Sequence, residues 1–141
     1  MRVVLDPNVL VFAAISPAGP PAQILLAWAL GEFDLVISPG LLEELDDVLA
    51  RPRLQRWIAQ ADAQDYVEGL ADAALLIEDP PDTPAVSKDP DDDYLIALAR
   101  VAQAEYLVSG DPDLTSIPAL DPPVLTPSQF VQQLLGGRHG A

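Results

Sequence analysis

The chain has 141 residues, half of them hydrophobic, and a formal net charge of −15 at pH 7. Its length fits one domain with a single core, and the lack of cysteine excludes disulfides, thiolate metal ligands and cysteine nucleophiles. So acidic a chain repels nucleic acid at long range, yet it is rich in the oxygen ligands that hard divalent cations prefer. Because it shows neither an apolar run of roughly 20 residues nor a signal-peptide pattern, we expect a soluble, cytoplasmic protein.

The first part of the chain alternates predicted strands and helices. The segment RVVL, at residues 2–5, predicts a buried strand that ends at Asp6. The segment PPAQILLAWALGEF has apolar residues at helical spacing, with Gly31 as its stop, and FDLVIS predicts a second strand. Ser38 and Pro39 then fit the N-cap and first position of a helix over PGLLEELDDVLA.

The second part begins with helical material, predicted as two pieces over LQRWIAQADAQDYVEGLADAALLI. A proline-rich loop at residues 78–90 follows, after which Asp89 and Pro90 start another helix. The segment EYLVSGD predicts a further strand. The segment VLTPSQFVQQLL predicts a short strand and a last helix, with Thr126 and Gln129 as its capping box.

This order of elements sets the predicted fold class. Strands separated by helices predict a three-layer α/β/α fold around a parallel sheet of about four to five strands. We assign residues 1–135 to one domain and residues 136–141 to a flexible tail. The only histidine, His139, falls in that tail, which leaves no Ser-His-Asp arrangement. Neither GxxxxGK(S/T) nor GxGxxG occurs, so the chain has no recognisable phosphate-binding loop.

Acidic residues fall where a parallel sheet forms its sites. Asp6 and Asp111 both follow predicted strands, and sites in open parallel sheets lie outside the carboxyl ends of the strands. Taken alone, either residue is equally well explained as an ordinary turn or cap. Glu44 borders the apolar stripe of its helix, and an acid beside a buried face needs a partner.

The segment DPDDDYLIALA, at residues 89–99, places four aspartates ahead of a helical run. Capping alone accounts for Asp89, Asp91 and Asp92, since a carboxylate in the first turn gains about 0.3–1 kcal/mol from the helix N-terminus. Asp93 lies one residue deeper, three and four residues before apolar positions, and is the stronger candidate for a site. Asp92 is a close second, because apolar residues follow it at helical spacing too.

A group formed by Asp6, Glu44, Asp93 and Asp111 would repel itself, with at least one pKa raised, until a divalent cation binds. Mg²⁺ or Mn²⁺ held by such a group activates water, orients a phosphodiester and stabilises the leaving oxygen. Hydrolysis of a nucleic-acid backbone is the reaction that this chemistry favours. A phosphatase of the haloacid-dehalogenase type also has an aspartate after its first strand, but Asn8 stands where its second aspartate belongs.

Four segments together resemble the PIN-domain family, and in particular the toxin-like, VapC-like nucleases of bacterial and archaeal toxin-antitoxin modules. They are VVLDPNVLVFAAISPAGPPAQIL, LVISPGLLEELDDVL, DPDDDYLIALA and YLVSGDPDL, in this order. The resemblance covers residues 2–134 and implies a metal-dependent endoribonuclease on a PIN-like fold. By position it assigns catalytic and metal-binding roles to Asp6, Glu44, Asp93 and Asp111.

The same resemblance implies supporting roles for Asn8, beside the first aspartate, and for Asp113, while Asp92 remains an auxiliary candidate. One departure is Pro7, where family members typically carry Thr or Ser, because proline removes a hydroxyl and a backbone donor. Two alternatives to the ribonuclease therefore stay open. One is a non-catalytic protein-binding module of the same fold, and the other is a metal-dependent phosphatase on a similar sheet.

Candidate contacts for RNA are few. Arg51 and Arg53 follow the helix of Glu44, and Lys88 precedes the aspartate run. These cations could hold RNA phosphates, although arginine at a helix C-terminus equally serves the helix dipole. The resemblance implies an RNA substrate, Mg²⁺ or Mn²⁺ as cofactor, a cognate antitoxin as partner, and a homodimer. Apolar residues of the early helices, such as Leu26, either serve such a partner or belong to the core.

Overall fold

The fold is described by a computed structural model that covers residues 1–83 and 85–139. Its strands are β1 (Arg2–Leu5), β2 (Asp34–Ile37), β3 (Leu75–Leu76), β4 (Tyr106–Val108) and β5 (Val124–Leu125). Its helices are α1 (Pro7–Ile15), α2 (Pro20–Ala29), α3 (Pro39–Leu49), α4 (Gln60–Ala73), α5 (Pro90–Val101), α6 (Pro112–Thr115) and α7 (Pro127–His139). A short 3-10 turn, Pro52–Leu54, separates α3 from α4.

The strands form one parallel sheet in the order β3-β2-β1-β4-β5. β1 is the middle strand, and its Val4 pairs with Val36 of β2 on one side and with Leu107 of β4 on the other. The apolar run RVVL suits this place, since a central parallel strand is covered on both faces. The predicted parallel sheet of four to five strands is confirmed.

Helices cover both faces of the sheet. On one face α1 contacts α2 and α3, α2 contacts α7, and α3 contacts α4. α5 packs on β1 and β4, while α6 contacts β5. The chain returns from β3 to β4 through α5, and a right-handed crossover in that direction places α5 on the opposite face. The predicted three-layer α/β/α arrangement is confirmed.

Local capping fixes where the helices begin. Ser38 Oγ accepts a hydrogen bond from the Leu41 N–H at 3.1 Å, as the predicted N-cap requires. Thr126 and Gln129 exchange the two hydrogen bonds of the predicted capping box, at 2.9 and 3.2 Å. None of the described helices is by itself long and apolar enough to cross a membrane; α1 and α2 meet that test only as a pair bent by 95°.

Several elements differ from the sequence prediction. The prediction lacks α1, because almost every residue of PNVLVFAAI is apolar and the segment shows no helical period. It continues a helix through β3, whose two residues pair with β2 at the sheet edge. It contains no helix directly after EYLVSGD, where α6 forms one helical turn. α7 runs on to His139, past the predicted domain boundary at residue 135; the predicted flexibility of residues 136–141 stays a prediction, and residues 140–141 lie outside the described residues.

Candidate metal and active site

Three acids lie at the carboxyl edge of the sheet, near the ends of β1 and β4. Asp6 directly follows β1, and Asp111 follows β4 after two residues. The Asp6 N–H donates to the carbonyl of Val108 at 2.9 Å, which holds the two strand ends side by side. Asp92 lies in the first turn of α5, the helix that packs on the same two strands. The predicted convergence of strand-end acids is therefore present for Asp6 and Asp111.

Asp6 is held by hydrogen bonds to both of its carboxylate oxygens. Its Oδ1 accepts from the backbone N–H of Asn8 at 3.0 Å, and its Oδ2 accepts from Ser109 Oγ at 2.8 Å. Burial raises the pKa of Asp6, and the negative charges of Asp111 and Asp89 add to this rise, although the two hydrogen bonds oppose it. Asn8 thus supports the first aspartate as predicted, but through its backbone.

Ser109 links two of the acids and is missing from the predicted set. Its hydroxyl donates to Asp6 and accepts from the backbone N–H of Asp111 at 3.1 Å, and its side chain is fully buried. The sequence does carry a signal for this role. A hydroxyl residue that directly follows the buried strand YLV needs a polar partner at the carboxyl edge of the sheet.

Asp92 is the acid whose hydrogen bonding is incomplete. Its side chain is buried, and its Oδ2 has no hydrogen-bond partner among the residues that the structure describes. Burial, the negative charge of Asp111 and a hydrogen bond with that carboxyl group raise the pKa of Asp92 to about 7. The buried Asp92 carboxyl group is thus left with one oxygen unsatisfied and with its neutral form favoured.

Asp93 faces the loop that precedes α5 and not the strand ends. Its Oδ1 accepts from the Val86 N–H at 3.0 Å, the Ser87 N–H at 2.7 Å and Ser87 Oγ at 2.9 Å. Burial acts to raise the pKa of Asp93, but these hydrogen bonds outweigh it and lower the pKa. The structure therefore reverses the predicted placement of Asp92 and Asp93. The reason is that successive helical residues are about 100° apart around the axis, so only one of two neighbours faces the sheet.

Glu44 approaches the acids from α3. A cavity of about 430 Å³ separates this part of α3 from the first turn of α5 and includes Gly40, Glu44, Asp91 and Tyr94 in its lining. Partial burial raises the pKa of Glu44, followed by the negative charge of Asp91. Asp6 adds to this rise, and Arg51 opposes it. Glu44 is therefore electrostatically part of the acid group, although much of its side chain remains open to solvent.

The loop between β3 and α5 is fastened at both ends. Near its start, Asp79 Oδ1 accepts from the Gly40 N–H at 3.0 Å and from the Tyr94 hydroxyl, which is also hydrogen-bonded to Ser38 Oγ. A Cβ at position 40 would lie 2.8 Å from Asp79 Oδ1, so a side chain there would displace the Asp79 carboxylate. Near its end, the same loop is held by Asp93. The loop thus ties the first turn of α5 to the start of α3.

The remaining predicted residues lie at the rim. Asp113 donates its backbone N–H to Asp111 Oδ1 at 2.9 Å, while its own side chain is exposed. Arg53 and Lys88 are exposed, and within the described residues neither forms a hydrogen bond with a site acid. Arg51 is the one predicted RNA contact whose charge acts on a site acid, because it lowers the pKa of Glu44.

The acids fit a hard cation in chemistry, but they are not drawn together into a finished metal site. Within the described residues, no three His, Cys, Asp or Glu side chains converge closely enough to hold one ion. Like charges keep carboxylates apart when no cation is present. The unpartnered Oδ2 of Asp92 and the raised pKa values of Asp6 and Glu44 are the features that a bound divalent cation would relieve.

Comparisons with known proteins agree with this architecture. A sequence model described as PIN domain matches residues 2–113. The uncharacterized protein MJ1680 of Methanocaldococcus jannaschii is 27% identical over 117 residues, which make up 83% of this chain and 75% of that protein.

Two solved structures share the fold at low sequence identity. PAE2754 from Pyrobaculum aerophilum aligns with a TM-score of 0.65 and 14% identity, over 96% of this chain and 89% of the other. VapBC2 from Rickettsia felis, crystallised with a DNA fragment from its promoter, aligns with a TM-score of 0.62 and 16% identity, over 89% of this chain and 98% of the other. Since the family match spans most of the chain and includes every acid described above, this chain belongs to the PIN domain family.

Proposed function

We propose that this protein is a metal-dependent endoribonuclease and the toxin component of a type II toxin-antitoxin pair. PIN domains are generally nucleases. The observation that carries the proposal is the buried, unpartnered Oδ2 of Asp92, which lies in the helix turn above the strand ends that present Asp6 and Asp111. A buried acceptor without a donor is costly, and a bound cation removes that cost.

Asp6, Asp92 and Asp111 are the residues that would hold Mg²⁺ or Mn²⁺, with Glu44 reaching in from α3. When bound, such a cation supplies charge neutralisation at a phosphodiester and lowers the pKa of water. This assignment places Asp92 where the sequence prediction had Asp93. The proposed site retains Asp6, Glu44 and Asp111 from the set that the sequence predicted.

The chain's own groups prepare this site. Ser109 Oγ and the Asn8 N–H fix both oxygens of Asp6, and the Asp113 N–H fixes one oxygen of Asp111. A proton on Asp92 would leave when a cation enters, because carboxylates bind metal in the ionised form. Glu44, which is exposed and has a raised pKa, is suited to accept a proton from the attacking water.

RNA must reach this site against the overall charge. A net charge of −15 gives no long-range attraction for phosphates, so the cation and Arg51 are the groups that would draw the backbone in. Arg53 and Lys88 remain further candidates at the rim. By likeness to VapBC2, we also propose a cognate antitoxin and a homodimer as the partners of this chain.

The test is cleavage of a mixed pool of single-stranded and structured RNA by the purified full chain in Mn²⁺. We expect cleavage by the wild type, and loss of cleavage in Asp6→Asn, in Asp111→Asn and with chelator. Asp72→Asn is the matched control, since it neutralises an exposed acid of α4 that takes no part in the site.

Equal cleavage by wild type and Asp6→Asn would point to a contaminant and overturn the proposal. Turnover of a small phosphomonoester with RNA left intact would favour the phosphatase alternative. Partner binding without any cleavage would favour the non-catalytic module.

A further inference from the structure

A second cavity opens at the carboxyl edge of the sheet, on the side of α1 and α2. Its volume is about 430 Å³, within the range of roughly 300–1,000 Å³ that is typical of ligand sites. Asp6 and Asp111 contribute to one wall, and Phe12, Pro21 and Pro127 contribute apolar surface. The cavity therefore adjoins the proposed catalytic acids and is continuous with them through shared residues.

Phe12 is the feature of this cavity that the fold leaves unexplained. Val9, Leu10 and Val11 of the same helix are buried in the core, whereas 55% of the Phe12 side chain is exposed. A single exposed apolar side chain is ordinary on a protein surface. This one, however, lines a concave site beside two acids, where a planar ligand could stack on its ring.

Electrostatics decide which part of a nucleic acid fits here. Among the described residues that line this cavity, none is Lys or Arg, and two are acids. Apart from the cation that Asp6 and Asp111 would hold for the scissile phosphate, a second phosphate would find no positive partner in this cavity. An uncharged base needs no such partner, and its stacking on an aromatic side chain needs no cation.

From these observations we infer that this cavity, which we call the base pocket, binds one unpaired nucleobase next to the scissile phosphate, stacked on Phe12. The inference rests on the proposed function and adds to it a contact with one base beside the cleaved bond. A base inside a duplex is already stacked and paired, and so it cannot enter a pocket of this kind without being unpaired.

The test is a cycle that changes the protein and the RNA separately. One RNA is a short single strand with one cleavage site, and the others carry an abasic nucleotide on either side of that bond. We expect Phe12→Ala to lower kcat/KM on the intact RNA by roughly tenfold, the effect of one average stacking contact. The abasic nucleotide at the recognised position should lower wild-type kcat/KM by a similar factor, and Phe12→Ala should lose nothing further on that RNA.

Three further variants complete the design. Phe12→Tyr keeps a planar ring and should behave as the wild type, whereas Phe12→Leu keeps an apolar side chain without the ring and should behave as Phe12→Ala. Val101→Ala is the matched control. The exposed fraction of Val101, 54%, is nearly the same as that of Phe12, but Val101 lies at the far end of α5. Its kcat/KM should equal that of the wild type.

A binding measurement separates recognition from turnover. In an Asp6→Asn background, which should bind RNA without cutting it, 2-aminopurine at the recognised position should lose fluorescence when it stacks on Phe12. The additional change Phe12→Ala should abolish that quenching, and annealing a complementary strand should abolish it as well.

Failure of the inference can be told apart from failure of the proposed function. If the wild type cuts RNA but Phe12→Ala cuts it equally fast, or if abasic and duplex RNA are cut as fast as the intact single strand, the base pocket is overturned and the nuclease stands. If the wild type cuts no RNA in Mn²⁺, the proposed function is overturned and the base pocket with it.

Discussion

The two sides of the first turn of α5 have opposite chemistry. On the side of the strand ends, Asp92 has an oxygen without a partner and a pKa raised to about 7. On the side of the loop, Asp93 places one oxygen among three donors and has a lowered pKa. The two aspartates are adjacent and almost equally exposed, at 4% and 7%. Burial therefore does not distinguish a site carboxylate from a structural one, whereas the supply of hydrogen-bond donors does.

The largest expected difference between the two sides is in activity. Asp92→Asn should reduce Mn²⁺-dependent RNA cleavage to below about 1% of the wild type, the scale on which loss of a group that stabilises transition-state charge acts. Asp93→Asn should retain most of the activity, since its oxygen is engaged with Val86 and Ser87. Initial rates of the two variants at the same protein concentration make the comparison. A reversed order would restore the sequence-based assignment of Asp93 to the site.

The second difference is in the pH dependence of stability. The pKa of Asp92 rises from 3.8 to about 7 on folding. Between these pH values the folded chain keeps a proton on Asp92 that the unfolded chain releases. The free energy of unfolding should therefore fall as the pH rises from about 4 to 7, by up to a few kcal/mol at about 1.36 kcal/mol per pKa unit. Asp93 affects stability in the opposite sense, because its pKa is lowered in the folded chain. Its ionised form stabilises the fold, and this stabilisation is lost only at more acid pH.

Urea unfolding at pH 5 and pH 8 measures this dependence. The wild type should be the more stable at pH 5, and Mn²⁺ should stabilise it more at pH 8. Asp92→Asn should remove most of the pH dependence of the unfolding free energy, whereas Asp93→Asn should leave that dependence unchanged. A wild type that is more stable at pH 8 without metal would contradict the raised pKa of Asp92.

The smallest expected difference is in the stability of the loop side. Asp93→Ala leaves the donors of Val86 and Ser87 without their acceptor, and it should cost about 1–3 kcal/mol of unfolding free energy. Asp91→Ala, at an exposed position in the same turn, should cost no more than about 1 kcal/mol, the value of a first-turn carboxylate. Chemical denaturation of both variants measures the difference. Equal losses would mean that Asp93 acts only through the helix dipole.

The elements with local signals were predictable from the sequence. The capped helices α3, α5 and α7 begin where Ser38, Asp89 and Thr126 indicate, because a cap is a contact between residues close in sequence. The strand β3 was not predictable in this way, since it has two residues and owes its structure to pairing with β2. Edge pairing of this kind leaves no periodic pattern in the sequence.

The candidate site was predictable in composition but not in detail. Asp6, Glu44 and Asp111 were identified from strand ends and a helix stripe. The sequence analysis chose Asp93 over Asp92, but it had no basis for orienting the first turn of α5, because all five residues of 95–99 are buried and show no stripe. Ser109 was missed because its contact to Asp6 spans 103 positions of sequence. Whether a strand-end hydroxyl faces an acid depends on pairing that only the folded sheet supplies.

The central place of β1 in the sheet has a consequence for how the protein is made. β1 leaves the ribosome before the other strands of this sheet, but its partner β4 and the acids that flank Asp6 come from residues far downstream. Until residue 111 has emerged, Asp6 lacks both Ser109 and Asp111. A ribosome that synthesises this chain is therefore not exposed to an assembled acid group on a partial product. The proposed nuclease activity would begin only after residue 111 has been translated and has emerged.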